Sequence, residues 1–126
     1  MQGRSWNAAK GLFVLGLALV LPLASACFAA SKAPLSSAAK AGKKVFADNC
    51  ALCHNTNSTQ GKIGPGLKGL FKHKELPYSH RPTTVANVRE QIEKGNANAK
   101  PMPMPPFGSK LTATQINDVI AYLKTL

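Results

Sequence analysis

The sequence has no run of alternating apolar and polar residues of the kind a half-buried strand shows, and no internal repeat. What remains is a chain of helices joined by loops. It also lacks an apolar run long enough to cross a membrane. Gly11 to Leu23 is thirteen residues, interrupted by Pro22, where a spanning helix needs roughly 20. Acidic residues are scarce: five Asp and Glu stand against sixteen Lys and Arg. Such a balance favours acidic partners and speeds their encounter at low salt. The lysines are scattered along the chain and do not form a block, which speaks against nucleic acid as the partner. Aromatic residues are few as well. Past the first thirty residues there are only Phe46, Phe71, Tyr78, Phe107 and Tyr122. A chain this short buries a modest core by itself, and so few aromatics suit a core built around a cofactor.

The apolar run has a different use. Arg4 and Lys10 precede it, and the small residues Ala24-Ser25-Ala26 follow it at cleavage spacing. This is the pattern of a secretory signal peptide over residues 1–29, the other reading being an uncleaved membrane anchor. Without Arg4 and Lys10, 14 basic side chains face five acidic ones, a net of +9. Residues 30–36 are a linker by composition, and 37–126 form one domain. Of three cysteines, Cys27 lies at the signal boundary. Its fates are removal with the leader, survival as a free thiol, or lipidation as the first residue of a lipoprotein whose signal ends at 26. Leu23 to Cys27 resembles a lipobox imperfectly, and removal and lipidation both stay open. A lipidated Cys27 would anchor the domain to the membrane. Export places the protein in the periplasm or on the outer face of the cytoplasmic membrane.

The other two cysteines stand in Cys50-Ala51-Leu52-Cys53-His54. Two cysteines three apart with histidine directly after read as a c-type haem attachment site. On a helical turn, residues three and four apart share a face, so both thiols and the imidazole can point at one object. The thiols can bond two vinyl groups on a porphyrin edge, and the imidazole can reach the iron.

Three helices are expected around this motif. The first runs from Ser37 to about Asn49, capped by Ser36 or Ser37, with Ala38, Ala41, Gly42, Val45 and Phe46 as an apolar stripe. Gly42 costs about 0.5–1 kcal/mol against alanine inside a helix, a cost that a close helix crossing would explain. The second helix spans residues 83–94, with Val85, Val88 and Ile92 inward and Gly95 ending it. The third follows Thr112-Ala113-Thr114-Gln115, a capping-box match, with Ile116, Val119, Ile120 and Leu123 on one face. Between the first two helices, Leu67, Leu70 and Phe71 form a short turn covering apolar surface. Residues 96–109 hold four prolines in NANAKPMPMPPFGS. An irregular stretch of that length in a small domain is usually functional.

From residue 38 to 126 the chain resembles class I c-type cytochromes, the small bacterial monohaem cytochromes c. The resemblance rests on CALCH (50–54), on Ile63-Gly64-Pro65-Gly66-Leu67, on Met104-Pro105-Pro106-Phe107, and on the last helix, LTATQINDVIAYLKTL. It implies an all-α fold, with three main helices and ordered loops wrapped around one covalently bound haem c. It implies thioethers from Cys50 and Cys53, His54 as proximal iron ligand, and the Pro65 carbonyl bonded to the other imidazole nitrogen. A methionine would bind the iron's far side. The family pattern selects Met104, with Met102 as runner-up. Gly42 and Phe46 would cross the last helix near Tyr122.

The implied function is one-electron transfer between redox partners with acidic docking faces, such as membrane respiratory complexes, and no enzymatic reaction. An alternative is a haem-based sensor or a peroxidase-like protein with a labile sixth ligand, which the methionine loop argues against. A thiol-redox or zinc protein built on Cys50 and Cys53 lacks the βαβ context or the further ligands it needs. His73 and His80 read as surface histidines. Tyr78 and Arg81 are candidates to hydrogen-bond a haem propionate, or else ordinary loop residues. Lys62, Lys68, Lys72, Lys74 and Lys100 flank the expected haem crevice and are candidates for a docking face.

Overall fold

A computed structural model describes residues 33–126. The expected signal peptide (1–29), with Cys27, and residues 30–32 of the expected linker lie outside those residues. Three helices carry the fold, α1 (Ser37–Asn49), α2 (Val85–Lys94) and α3 (Ala113–Leu123). A single 3-10 turn, Leu70–Lys72, sits between α1 and α2. Among the described residues the only β pairing is two isolated bridges, Glu75 with Pro82 and Asn96 with Met104.

The helix ends follow from local chemistry. At α1 the Ser36 hydroxyl accepts a hydrogen bond from the Ala39 amide at 3.2 Å. At α2 the Thr84 hydroxyl accepts from the Asn87 amide at 3.1 Å, and Gly95 closes the helix with φ 68°. At α3 the capping box is complete. Gln115 N–H donates to the Thr112 hydroxyl, and Thr112 N–H donates to the Gln115 side-chain oxygen. Each such cap is worth about 1 kcal/mol, so the boundaries are set within the segments themselves.

The stripes differ from expectation at two helices. On α1 the buried residues are Ala39, Gly42 and Phe46, while Ala41 is exposed. The crossing with α3 decides this. A Cβ on Gly42 would collide with the backbone of Asp118 and Val119, so Gly42 lies at the crossing point. The buried arc then runs through positions three and four to either side of it. On α2, Val85 is 40% exposed. It occupies the first turn, ahead of the point where the helix meets the core, and the stripe begins at Val88.

Phe46 and Tyr122 meet edge to face across the α1–α3 crossing, with ring centroids 5.6 Å apart and planes at 63°. Ile116 and Val119 of α3 are the most deeply buried large side chains. Burying an Ile or Val stabilises by about 1.5–3 kcal/mol each. Leu67 and Leu70 close the same cluster from the loop side, and Val88 and Ile92 from α2. Arg89 of α2 donates to Asn117 of α3 at the surface.

Candidate functional site

The core residues pack around a cavity of about 280 Å³, near the lower end of the range for small-molecule and cofactor sites. Phe46, Leu67, Val88, Ile92, Val119 and Leu123 all face it. Those side chains therefore belong at once to the core and to the cavity wall.

Cys50, Cys53 and His54 line the cavity together. They occupy a tight turn that continues α1. Cys50 N–H and Ala51 N–H both donate to the Phe46 carbonyl, and Cys53 N–H and His54 N–H both donate to the Cys50 carbonyl. The motif is tied to the following loop as well. Gly64 N–H donates to the Cys53 carbonyl at 2.8 Å, and Leu67 N–H to the Asn55 carbonyl at 2.7 Å. Leu52, one of the two residues between the cysteines, borders the cavity and is 79% exposed.

His54 Nδ1 lies 2.9 Å from the Pro65 carbonyl oxygen. A carbonyl only accepts, so Nδ1 carries the hydrogen and donates it. The lone pair of the neutral ring is then on Nε2, free to bind a metal. This is how a bond from the far nitrogen fixes tautomer and orientation in metal-ligating histidines. Gly64 leaves room for the ring. A Cβ there would come within 2.5 Å of His54 Cε1.

The Cys50 thiol is pushed up to about 11, first by burial and then by the neighbouring Cys53. Thiol–disulfide catalysts work through cysteines shifted the other way. Among the described residues, no group of three or more His, Cys, Asp or Glu is arranged to hold a metal ion. Two free thiols at the edge of an apolar cavity, with an oriented imidazole beside them, fit a covalently attached haem. The thiols can bond the macrocycle, the imidazole can bind iron, and the surrounding aliphatic side chains can cover the ring.

Both methionines of the Met-Pro-Met-Pro strap reach the cavity. Met102 is 56% exposed, whereas Met104 is half-buried and held by its backbone. Met104 N–H donates to the Asn96 carbonyl at 3.0 Å, and Asn96 N–H donates back at 2.9 Å. Gln91 and Asn96, which sequence reasoning passed over, also line the cavity. A glutamine between Glu90 and Ile92 on a helix carries no signal that it faces inward.

Of the propionate candidates, Tyr78 lines the cavity mouth, with its backbone at φ 68°. Arg81 does not line the cavity. Its guanidinium is engaged by Asn87 and Glu90, both at 2.6 Å. The hydrogen bond from Arg81, and after it the one from Lys94, holds the Glu90 carboxyl below its usual range. His80 faces Glu75 at 3.4 Å. His73 borders a separate shallow depression with Lys68 and Lys72. Neither histidine touches the cavity. Lys100 lines its mouth, and Lys62 donates to the Ala51 carbonyl at 3.0 Å.

The model of the cytochrome c family matches residues 39–126. Cytochrome c of Gibberella zeae is 35% identical over 96 residues, which cover 68% of this chain and 91% of that protein. Cytochrome c6 of Synechocystis is 29% identical over 123 residues, covering 94% and 90%. The cbb3-type cytochrome c oxidase subunit FixP of Sinorhizobium medicae is 33% identical over 92 residues, which are 71% of this chain but 30% of that subunit. The chain belongs to the cytochrome c family. It is a class I c-type cytochrome, an electron carrier whose cofactor is covalently bound haem c.

Proposed function

We propose that the chain is an exported one-electron carrier in which Cys50 and Cys53 hold the haem and His54 and Met104 bind its iron. Each thiol would hold the haem by adding across a vinyl group, its sulfur to one carbon and its hydrogen to the other. The observation that carries this reading is the His54–Pro65 hydrogen bond, which engages Nδ1–H and leaves the Nε2 lone pair to bind a metal. Bound haem supplies reversible one-electron exchange at its iron. The protein's part is to orient the imidazole, to offer a soft thioether that raises the reduction potential, and to exclude water with the aliphatic wall. His54 and Met104 together would leave no place on the iron for a substrate.

Replacing each methionine in turn tests the ligand set. Met104→Ala will lose the methionine–iron charge-transfer band of the ferric protein, and Met102→Ala will keep it. The opposite pattern would move the ligand to Met102.

The leader-like residues 1–29 and the linker 30–36 support export to the periplasm or the outer face of the cytoplasmic membrane, with Cys27 either removed or lipidated. The net charge of +9 beyond Arg4 and Lys10 supports partners with acidic docking faces. A membrane respiratory complex is the partner class proposed, and the similarity to an oxidase subunit supports it. Oxidation of the reduced protein by a membrane oxidase will slow as salt rises and screens the encounter. A rate independent of salt would remove the charge-guided docking.

A further inference from the structure

We propose that Gln91 is a positioning residue that commits the iron's distal side to Met104 and keeps Met102 off it. This rests on the reading that a methionine of the strap is the ligand. The strap presents two chemically identical thioethers two residues apart, each followed by proline, and both reach the cavity. Some feature outside the strap has to distinguish them.

The distinguishing contact is a forked one. The Gln91 amide nitrogen lies 2.9 Å from the Gly95 carbonyl oxygen and 3.8 Å from the Met104 sulfur. A carboxamide has two N–H donors and a thioether is a weak acceptor, so one amide group serves both contacts. The Gly95 bond fixes the amide's orientation, and that orientation aims the second hydrogen at the sulfur.

Helix α2 holds the amide in place. Val88 and Ile92 are buried in the core, and Gln91 lies three positions after Val88, on the same face of the helix. The backbone supports the same choice. Asn96, just past the helix end, exchanges two hydrogen bonds with Met104, and its own side-chain oxygen accepts from Asn98 N–H at 3.0 Å. Gly95 passes so close to the Met104 carbonyl that a Cβ would not fit between them. The end of α2 thus grips Met104 at three points: its N–H, its carbonyl and its sulfur.

A thioether sulfur has two lone pairs. With one directed to the iron, the other still accepts the Gln91 hydrogen. That hydrogen draws electron density from the sulfur, which weakens its donation to ferric iron more than to ferrous. Gln91 therefore favours the reduced state as well as the Met104 geometry. A single net hydrogen bond shifts an equilibrium by roughly twofold to tenfold, and that is the expected change in the ratio of Met104-bound to Met102-bound protein.

The test uses the haem-loaded protein, with NMR of the ligand methionine methyl in the ferrous state and a reduction potential. The native protein will show one methyl resonance. Gln91→Leu will show two, and its potential will fall. Adding Met102→Ala to Gln91→Leu will leave one. If Gln91→Leu keeps one native methyl resonance, or if the second survives Met102→Ala, the proposal is overturned. Should Gln91→Leu fail to take up haem, Gln91→Glu serves in its place. At neutral pH it keeps the shape and loses both N–H donors, and two resonances support the proposal while one native resonance overturns it. Failure of the underlying ligand reading looks different: Met104→Ala would then retain the full charge-transfer band.

Discussion

The double variant Cys50→Ala/Cys53→Ala will carry no haem through a denaturing gel, and in the absence of haem it will show no cooperative unfolding by far-ultraviolet circular dichroism. The first result follows from the loss of both sulfurs able to bond the ring. The second follows from where the cavity lies. Its wall includes Phe46, Leu67, Val88, Ile92, Val119 and Leu123, which are half of the core cluster. Left unfilled, a cavity of about 280 Å³ costs roughly 7 kcal/mol at about 24 cal/mol per Å³. Domains of this kind have only about 5–15 kcal/mol to lose. Partial collapse would lower that cost, but only by breaking the packing that holds the three helices together. A sharp thermal transition in the haem-free chain would show that the helices hold each other without the cofactor.

Gly42→Ala is expected to have the second largest effect, with a sign opposite to the usual one. Alanine in place of an interior helical glycine ordinarily stabilises by about 0.5–1 kcal/mol. Here the new methyl would enter the space of the Asp118 carbonyl on α3. Neither partner has a side chain to rotate away, so the two helices must move apart. That separation loosens the Phe46–Tyr122 contact and the burial of Val119. The expected loss is at least 3 kcal/mol, at or beyond the upper end for overpacking, read from guanidinium unfolding of the haem protein. Ala41→Leu, one position away and exposed, will stay within about 0.5 kcal/mol. Equal effects from the two would mean that the crossing does not run through Gly42.

Much of this fold is written in short-range chemistry. Ser36, Thr84, Gly95 and the Thr112–Gln115 box each mark a helix end within a few residues of themselves, and each functions at that end in the structure. The glycine inside α1 pointed to a close helix crossing, and α3 is there. The bond between His54 and Pro65, expected from the resemblance, is present between residues eleven apart.

What escaped sequence reading depends on three-dimensional neighbours. Ala39 and Ala41 are equally small, and only the direction of the α3 crossing decides which is covered. Val85 looks like part of a stripe, but the first turn of α2 projects beyond the core. Arg81 looked available for an anion from the cofactor, yet a residue nine positions away, Glu90, occupies it. Gln91 was invisible for a related reason. Its partners are a carbonyl four residues on and a sulfur thirteen residues on, and no periodic pattern encodes such a pair.

The strap that carries Met104 has one more consequence. Pro101, Pro103, Pro105 and Pro106 occupy four of the six positions from 101 to 106, each with its φ angle locked by the ring. When a ligand lets go of a metal, the gain that drives release is the freedom its segment recovers. This segment has less to recover than an ordinary loop, because four of its six φ angles are already fixed in the detached state. With Met104 as the proposed ligand, its detachment would be poorly rewarded, and heat, which amplifies every entropic gain, would be opposed at that bond.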